Sequence, residues 1–78
     1  MKLLKKHTTS KGNKLEFHQF ETTHIIVIDN SCQMERVYRL GDRRALCWDD
    51  FGKRHSKRTE IRSFEQVINA WVNEEIHF

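Results

Sequence analysis

The sequence predicts an α+β fold: an antiparallel four-stranded meander, with a short fifth strand as an option, and one C-terminal helix packed on one face. Three observations predict it. Residues 14–49 hold strand-length runs separated by short polar turns. The run Ile25–Ile28 is apolar on both faces, as suits a central strand covered on at least one side by a helix. From Ser63 onward the apolar period changes to that of a helix.

The elements follow in order. Residues 1–14 carry five lysines and no acid and contain the turn signal Gly12-Asn13, so they read as a basic N-terminal segment of a single small domain, 1–78. Lys14–Glu21 reads as a strand, with Leu15 and Phe17 on one face and Phe20 on the other. His24–Asp29 is the central strand, and Asp29-Asn30-Ser31 follows as a turn whose short polar side chains bond their own backbone. Gln33–Leu40 is the next strand. Met34, Tyr38 and Leu40 share one side of it with Arg36, whose stem lies along apolar surface. After the Gly41-Asp42 turn, Arg44–Asp49 reads as a fourth strand, in which Leu46 and Trp48 alternate with Ala45 and Cys47, closed by Asp49-Asp50-Phe51-Gly52. Arg58–Arg62 is either a short fifth strand or an extended approach to the helix.

Ser63 opens that helix, and Gln66 three residues on completes a capping box. Phe64, Val67, Ile68, Trp71, Val72 and Ile76 fall on one stripe, while Glu65, Asn69, Asn73 and Glu74 face water. A helix of about fourteen residues would span roughly 21 Å, enough to cross a four-stranded sheet. The sheet's other face is partly aromatic and apolar, with Phe20 and Ile or Val of the second strand, and partly charged, a frequent setting for partner binding.

Composition narrows the function. The chain has 78 residues, 37% hydrophobic and 32% charged, with a net charge of +3 and no proline. That is material for one small core and excludes a proline-rich recognition segment. Cys32 and Cys47, the only cysteines, fit no C-x-x-C spacing and read as reduced, partly buried thiols of a cytoplasmic protein. Four aliphatic residues in a row are far short of the roughly twenty a membrane span needs, so a soluble protein with no membrane partner is expected.

Charge is segregated along the chain. Residues 1–14 sum to +5, 15–35 to −4, 36–62 to +5 and 63–78 to −3. Lys53-Arg54-His55-Ser56-Lys57-Arg58 places four cations in six residues, a density that recruits anions and phosphate backbones. Arg36, Arg39, Arg43 and Arg44 would extend that field over a sheet edge or face. Trp48, Phe51 and Tyr38, if exposed, would supply apolar anchor area. The candidate nucleic-acid or partner-binding set is therefore Lys53, Arg54, His55, Lys57, Arg58, Arg36, Arg39, Arg43, Arg44, Trp48, Phe51 and Tyr38. The same cations would also serve simply to keep a small domain in solution.

Catalytic and cofactor signatures do not emerge. His7, His18, His24, His55 and His77 show no metal-ligand spacing, and Gly12, Gly41 and Gly52 are isolated, so no phosphate loop exists. No catalytic residue, metal or cofactor is expected. A metal-free ribonuclease would need a histidine with a second acid–base group in reach, for which His55 with Glu60 or His18 is the one candidate pairing.

The stretch Met1-Lys2-Leu3-Leu4-Lys5-Lys6, the meander and the Ser63-Phe64-Glu65-Gln66 helix together resemble the small accessory proteins of tailed phages, which bind and block host enzymes. Similar meander-plus-helix layouts occur among phage anti-CRISPR proteins. That resemblance implies a counter-defence inhibitor of a CRISPR nuclease complex, or of a toxin–antitoxin endoribonuclease, acting in the host cytoplasm, with RNA as a second partner. The alternatives are a sequence-nonspecific RNA/DNA-binding protein and a small ribonuclease. An exposed edge strand also allows a homodimer.

Overall fold

The computed structural model describes residues 1–43, 60–76 and 78. They fall in two compact units, Met1–Arg39 and Leu40–Phe78.

The first unit is a meander of four strands, β1 (Lys2–Thr8), β2 (Lys14–Phe20), β3 (His24–Asp29) and β4 (Met34–Arg39), paired antiparallel in the order β1-β2-β3-β4. The expected α+β architecture is present, but its strands are counted differently. The lysine-rich N-terminal segment is itself a strand. The expected strand Arg44–Asp49 lies outside the described residues, as do Arg58 and Thr59.

β1 escapes a period-two reading because Leu3 and Leu4 are adjacent. The register shift between Leu3 and Lys5 makes a bulge that takes up Leu4, so that Leu3 pairs with His18 and Lys5 with Phe17. The strand gains its ladder from β2 rather than from an apolar stripe of its own.

Short polar turns join the strands. In the first, Thr9 N–H donates to the Asn13 carbonyl (2.8 Å), Gly12 N–H to the Thr9 carbonyl (2.9 Å) and Asn13 N–H to Thr9 Oγ1 (3.0 Å). Gly12 adopts φ +85°, which L side chains rarely reach. The other two hairpins place non-glycine residues in the left-handed region, Glu21 (φ 56°) and Gln33 (φ 58°). That is why β2 stops at Phe20 rather than Glu21, and why β4 starts at Met34 rather than Gln33. Asp29 anchors the last turn. It is buried, and its Oδ1 accepts from Ser31 N–H at 2.8 Å, as the Asx turn read from the sequence requires.

Pairing sets side chains in rows across the sheet. On one face the rows are His7–Leu15–Asp29–Met34, Lys5–Phe17–Val27–Arg36 and Lys2–Gln19–Ile25–Tyr38. Leu15, Phe17, Ile25, Val27 and Tyr38 on this face are buried, Phe17 to 0% exposure and Tyr38 to 2%. The opposite face is open.

The second unit holds helix α1 (Phe64–Val72). Ser63 caps it, its Oγ accepting from Gln66 N–H at 3.1 Å. The reciprocal arm of the box is displaced, since Gln66 Oε1 accepts from Arg62 N–H (2.7 Å) and Gln66 Nε2 donates to the Glu60 carbonyl (3.0 Å). Ile61 exchanges bonds with the 41–42 turn. Gly41 N–H donates to its carbonyl (2.7 Å), and its own N–H donates to the Asp42 carbonyl (2.8 Å). Residues 60–62 form no strand and lead directly into the helix, as the second of the two expected readings has it.

α1 spans nine residues, shorter than its apolar stripe suggests. Glu74 turns left-handed (φ 57°), and the N–H groups of Glu74 and Glu75 bond back to the Trp71 (3.1 Å) and Ala70 (2.9 Å) carbonyls. This is a Schellman ending, built on glutamate where glycine is usual. Ile76 is therefore buried from beyond the cap rather than from the helix. Val67, Ala70 and Trp71 form the helix's buried stripe, and Phe78 stacks on Trp71 at 4.7 Å between centroids.

The two faces of β2 set up a direct comparison by urea unfolding. Phe17→Ala should cost about 3–5 kcal/mol, and Phe20→Ala less than about 1 kcal/mol. Ser63→Ala should cost about 1 kcal/mol through its lost cap, read as loss of helical circular dichroism at lower urea, with Ser63→Asp recovering most of it.

Candidate binding surface

The open face consists of the rows Lys6–Glu16–Ile28–Glu35, Leu3–His18–Ile26–Val37 and Phe20–His24–Arg39. Leu3 is 45% exposed, Phe20 46% and Val37 54%, while Ile26 and Ile28 between them are half-buried. Leu3, Ile26 and Val37 thus lie in one row across the middle of the sheet, interrupted by His18. Phe20 and His24 meet edge-on at 6.2 Å between ring centroids.

Glu16 organises one corner. Its Oε1 lies 2.9 Å from His18 Nε2, Asn30 Nδ2 donates to its Oε2, and the Lys6 ammonium is close enough to act on it. Hydrogen bonding from His18, then from Asn30, together with these charges outweighs partial burial and holds the Glu16 carboxyl below its ordinary value. Strand alternation brings Glu16 and His18 together, since residues two apart share a face, so the pair was available to a sequence reading that looked at 16 and 18 jointly.

Few of the sequence-predicted site residues can be placed. Arg44, Trp48, Phe51, Lys53, Arg54, His55, Lys57 and Arg58 lie outside the described residues. Arg36 and Arg39 do not form one patch. Three positions apart on a strand, they point to opposite faces, Arg36 half-buried in the Val27 row and engaged within the chain, Arg39 exposed at the corner of the open face. Arg43 is exposed in the second unit. Tyr38 is buried and offers no anchor area. Cys32 is exposed rather than partly buried, and desolvation together with its bond to Asp29 pushes its thiol up.

Cations that share one edge of the sheet come from elsewhere. Lys2, Lys5 and Lys6 lie on edge strand β1, with Lys11 in the adjoining turn and Lys14 at the start of β2. All five are exposed, and the one ion pair among the described residues, His18–Glu16, uses none of them. Their charge density was visible in the sequence, whereas their place on a sheet edge was not.

Among the described residues no cluster of His, Cys, Asp and Glu is arranged to hold a metal ion, and no helix is long and apolar enough to cross a membrane. No protein-family model matches the chain, and no curated protein or solved structure is similar to it.

The Glu16 corner fixes the sign of one pH effect. A carboxyl lowered by folding stabilises the fold above its unfolded value near 4.5, and that stabilisation fades as pH falls through the lower folded value. An NMR titration of the Glu16 side chain should place its midpoint below 4.5. His18→Ala and Asn30→Ala should each move it upward.

Proposed function

We propose that this chain is a non-catalytic binding protein that attaches through its lysine-bearing edge to an anionic partner, namely an enzyme that processes nucleic acid. The observation that carries the reading is the set Lys2, Lys5, Lys6, Lys11 and Lys14, lying on β1, its turn and the start of β2, with no acid in the first fourteen residues. A cluster of cations on one edge raises the local potential and speeds encounter with acidic or phosphate-bearing surfaces. Lys53, Arg54, Lys57 and Arg58 repeat that sign of charge in the sequence. The phage-accessory layout favours an enzyme target, blocked by occupation, such as a CRISPR nuclease complex or a toxin–antitoxin endoribonuclease.

The Glu16–His18 pair supports a non-catalytic role. Both Glu16 oxygens are already engaged, and a carboxyl held below its usual range is a weak base at neutral pH. The second reading, direct binding of RNA or DNA, draws on the same lysines and on the exposed Phe20 ring.

The triple variant Lys2→Ala, Lys5→Ala, Lys11→Ala separates the readings. With an enzyme partner, capture from cell extract survives nuclease treatment in the parent and is lost in the variant, while bare RNA binds no tighter than micromolar. Submicromolar binding to labelled RNA, with a logarithmic salt slope that drops by about three in the variant, selects the nucleic-acid reading instead. Unchanged capture by the variant removes this edge from the site.

A further inference from the structure

We propose that the open face of the sheet is a self-complementary interface, and that its occupant is a second copy of this chain, related by a two-fold axis parallel to the strands. The inference shares only Lys6 with the partner reading above, whose triple variant leaves Lys6 in place.

The argument is geometrical. A two-fold axis lying between two facing sheets and running along the strands reverses strand order while keeping each row level, so β1 of one copy lies over β4 of the other. In the row Lys6–Glu16–Ile28–Glu35, Lys6 then meets Glu35 of the second copy, and the reverse contact follows by symmetry. In the row Leu3–His18–Ile26–Val37, Leu3 meets Val37 of the second copy, and His18 lies over Ile26. The three most exposed apolar residues of this face, Leu3, Phe20 and Val37, are thereby all covered. Opposite charges close the interface at both sides, and between them Ile28, Ile26 and Phe20 of each copy lie over Glu16, His18 and His24 of the other; sheets stacked in this way keep their strands within about 30° of alignment.

Other arrangements of two copies fare worse. The two-fold axis across the strands stacks lysine-bearing β1 on its own copy. Pairing edge to edge through β1 sets Lys2, Lys5 and Lys6 against the same lysines, and the bulge at Leu4 interrupts the ladder such pairing needs.

Size sets the strength. Four strands roughly 4.8 Å apart and three rows roughly 6.8 Å apart give a footprint of about 400 Å² per copy, on the order of half of what a standard stable interface covers. The dimer is therefore weak and exchanging, and belongs at high protein concentration.

Sedimentation equilibrium on the full chain, from about 10 μM to 1 mM, tests this. The parent should show a reversible monomer–dimer equilibrium that weakens with salt. Lys6→Glu should raise the dissociation constant by about tenfold or more, since it sets two pairs of like charge against each other. Glu35→Lys should do the same, and the double variant K6E/E35K should return to within about threefold of the parent. Val37→Lys should abolish the dimer while leaving the circular dichroism spectrum intact. A parent that stays monomeric to 1 mM overturns the proposal. So does a dimer indifferent to Lys6→Glu or Val37→Lys, or a double variant no tighter than its singles.

Discussion

The structure of the first unit depends on one constraint, the burial of Phe17, Val27, Ile25, Leu15 and Tyr38 on a single face of three adjacent strands. Side chains alternate along a strand, so a slip of β2 by one residue against β3 would turn Leu15 and Phe17 to the open face and bring Glu16 and His18 inward. No polar contact on the open face is strong enough to offset that exchange. The register that places Lys6 beside Glu16, and Val37 beside Ile26, is thus a consequence of packing on the other side of the sheet. Surface chemistry here is inherited from the core.

The turns serve that register at a local cost. Glu21 and Gln33 hold left-handed backbone conformations that glycine would adopt more easily, and Glu74 does the same at the end of the helix. Three such residues among those described end or join elements in backbone that L side chains rarely adopt. Asp29 eases one of these turns. Buried at the end of the central strand, it is bonded to the backbone of Ser31, which converts a polar group in the core into a strand terminator.

Charge is arranged by the same logic. The lysines of β1 sit where a sheet would otherwise present an unguarded edge, and repulsion between copies discourages pairing there. On the proposed readings, repulsion at the edge directs self-association toward the face and leaves the edge for partners of opposite charge. One short sheet can in this way present two surfaces with different uses.

Composition and alternation alone determined much of this protein: the α+β class, β3 to the residue, β2 and β4 to within one residue at their ends, the Ser63 cap, and the separation of Phe17 from Phe20. These are local properties, written in period-two or helical spacing and in turn chemistry. Only the tertiary structure decided that the lysine segment is a strand, because β1 has no stripe of its own and exists by pairing with β2 across a bulge. It also decided that Tyr38 is buried and that Lys6 lies across from Glu16. Each of these depends on which neighbour lies across the ladder. The spacing of residues along one chain carries no record of that neighbour until the strands are set side by side.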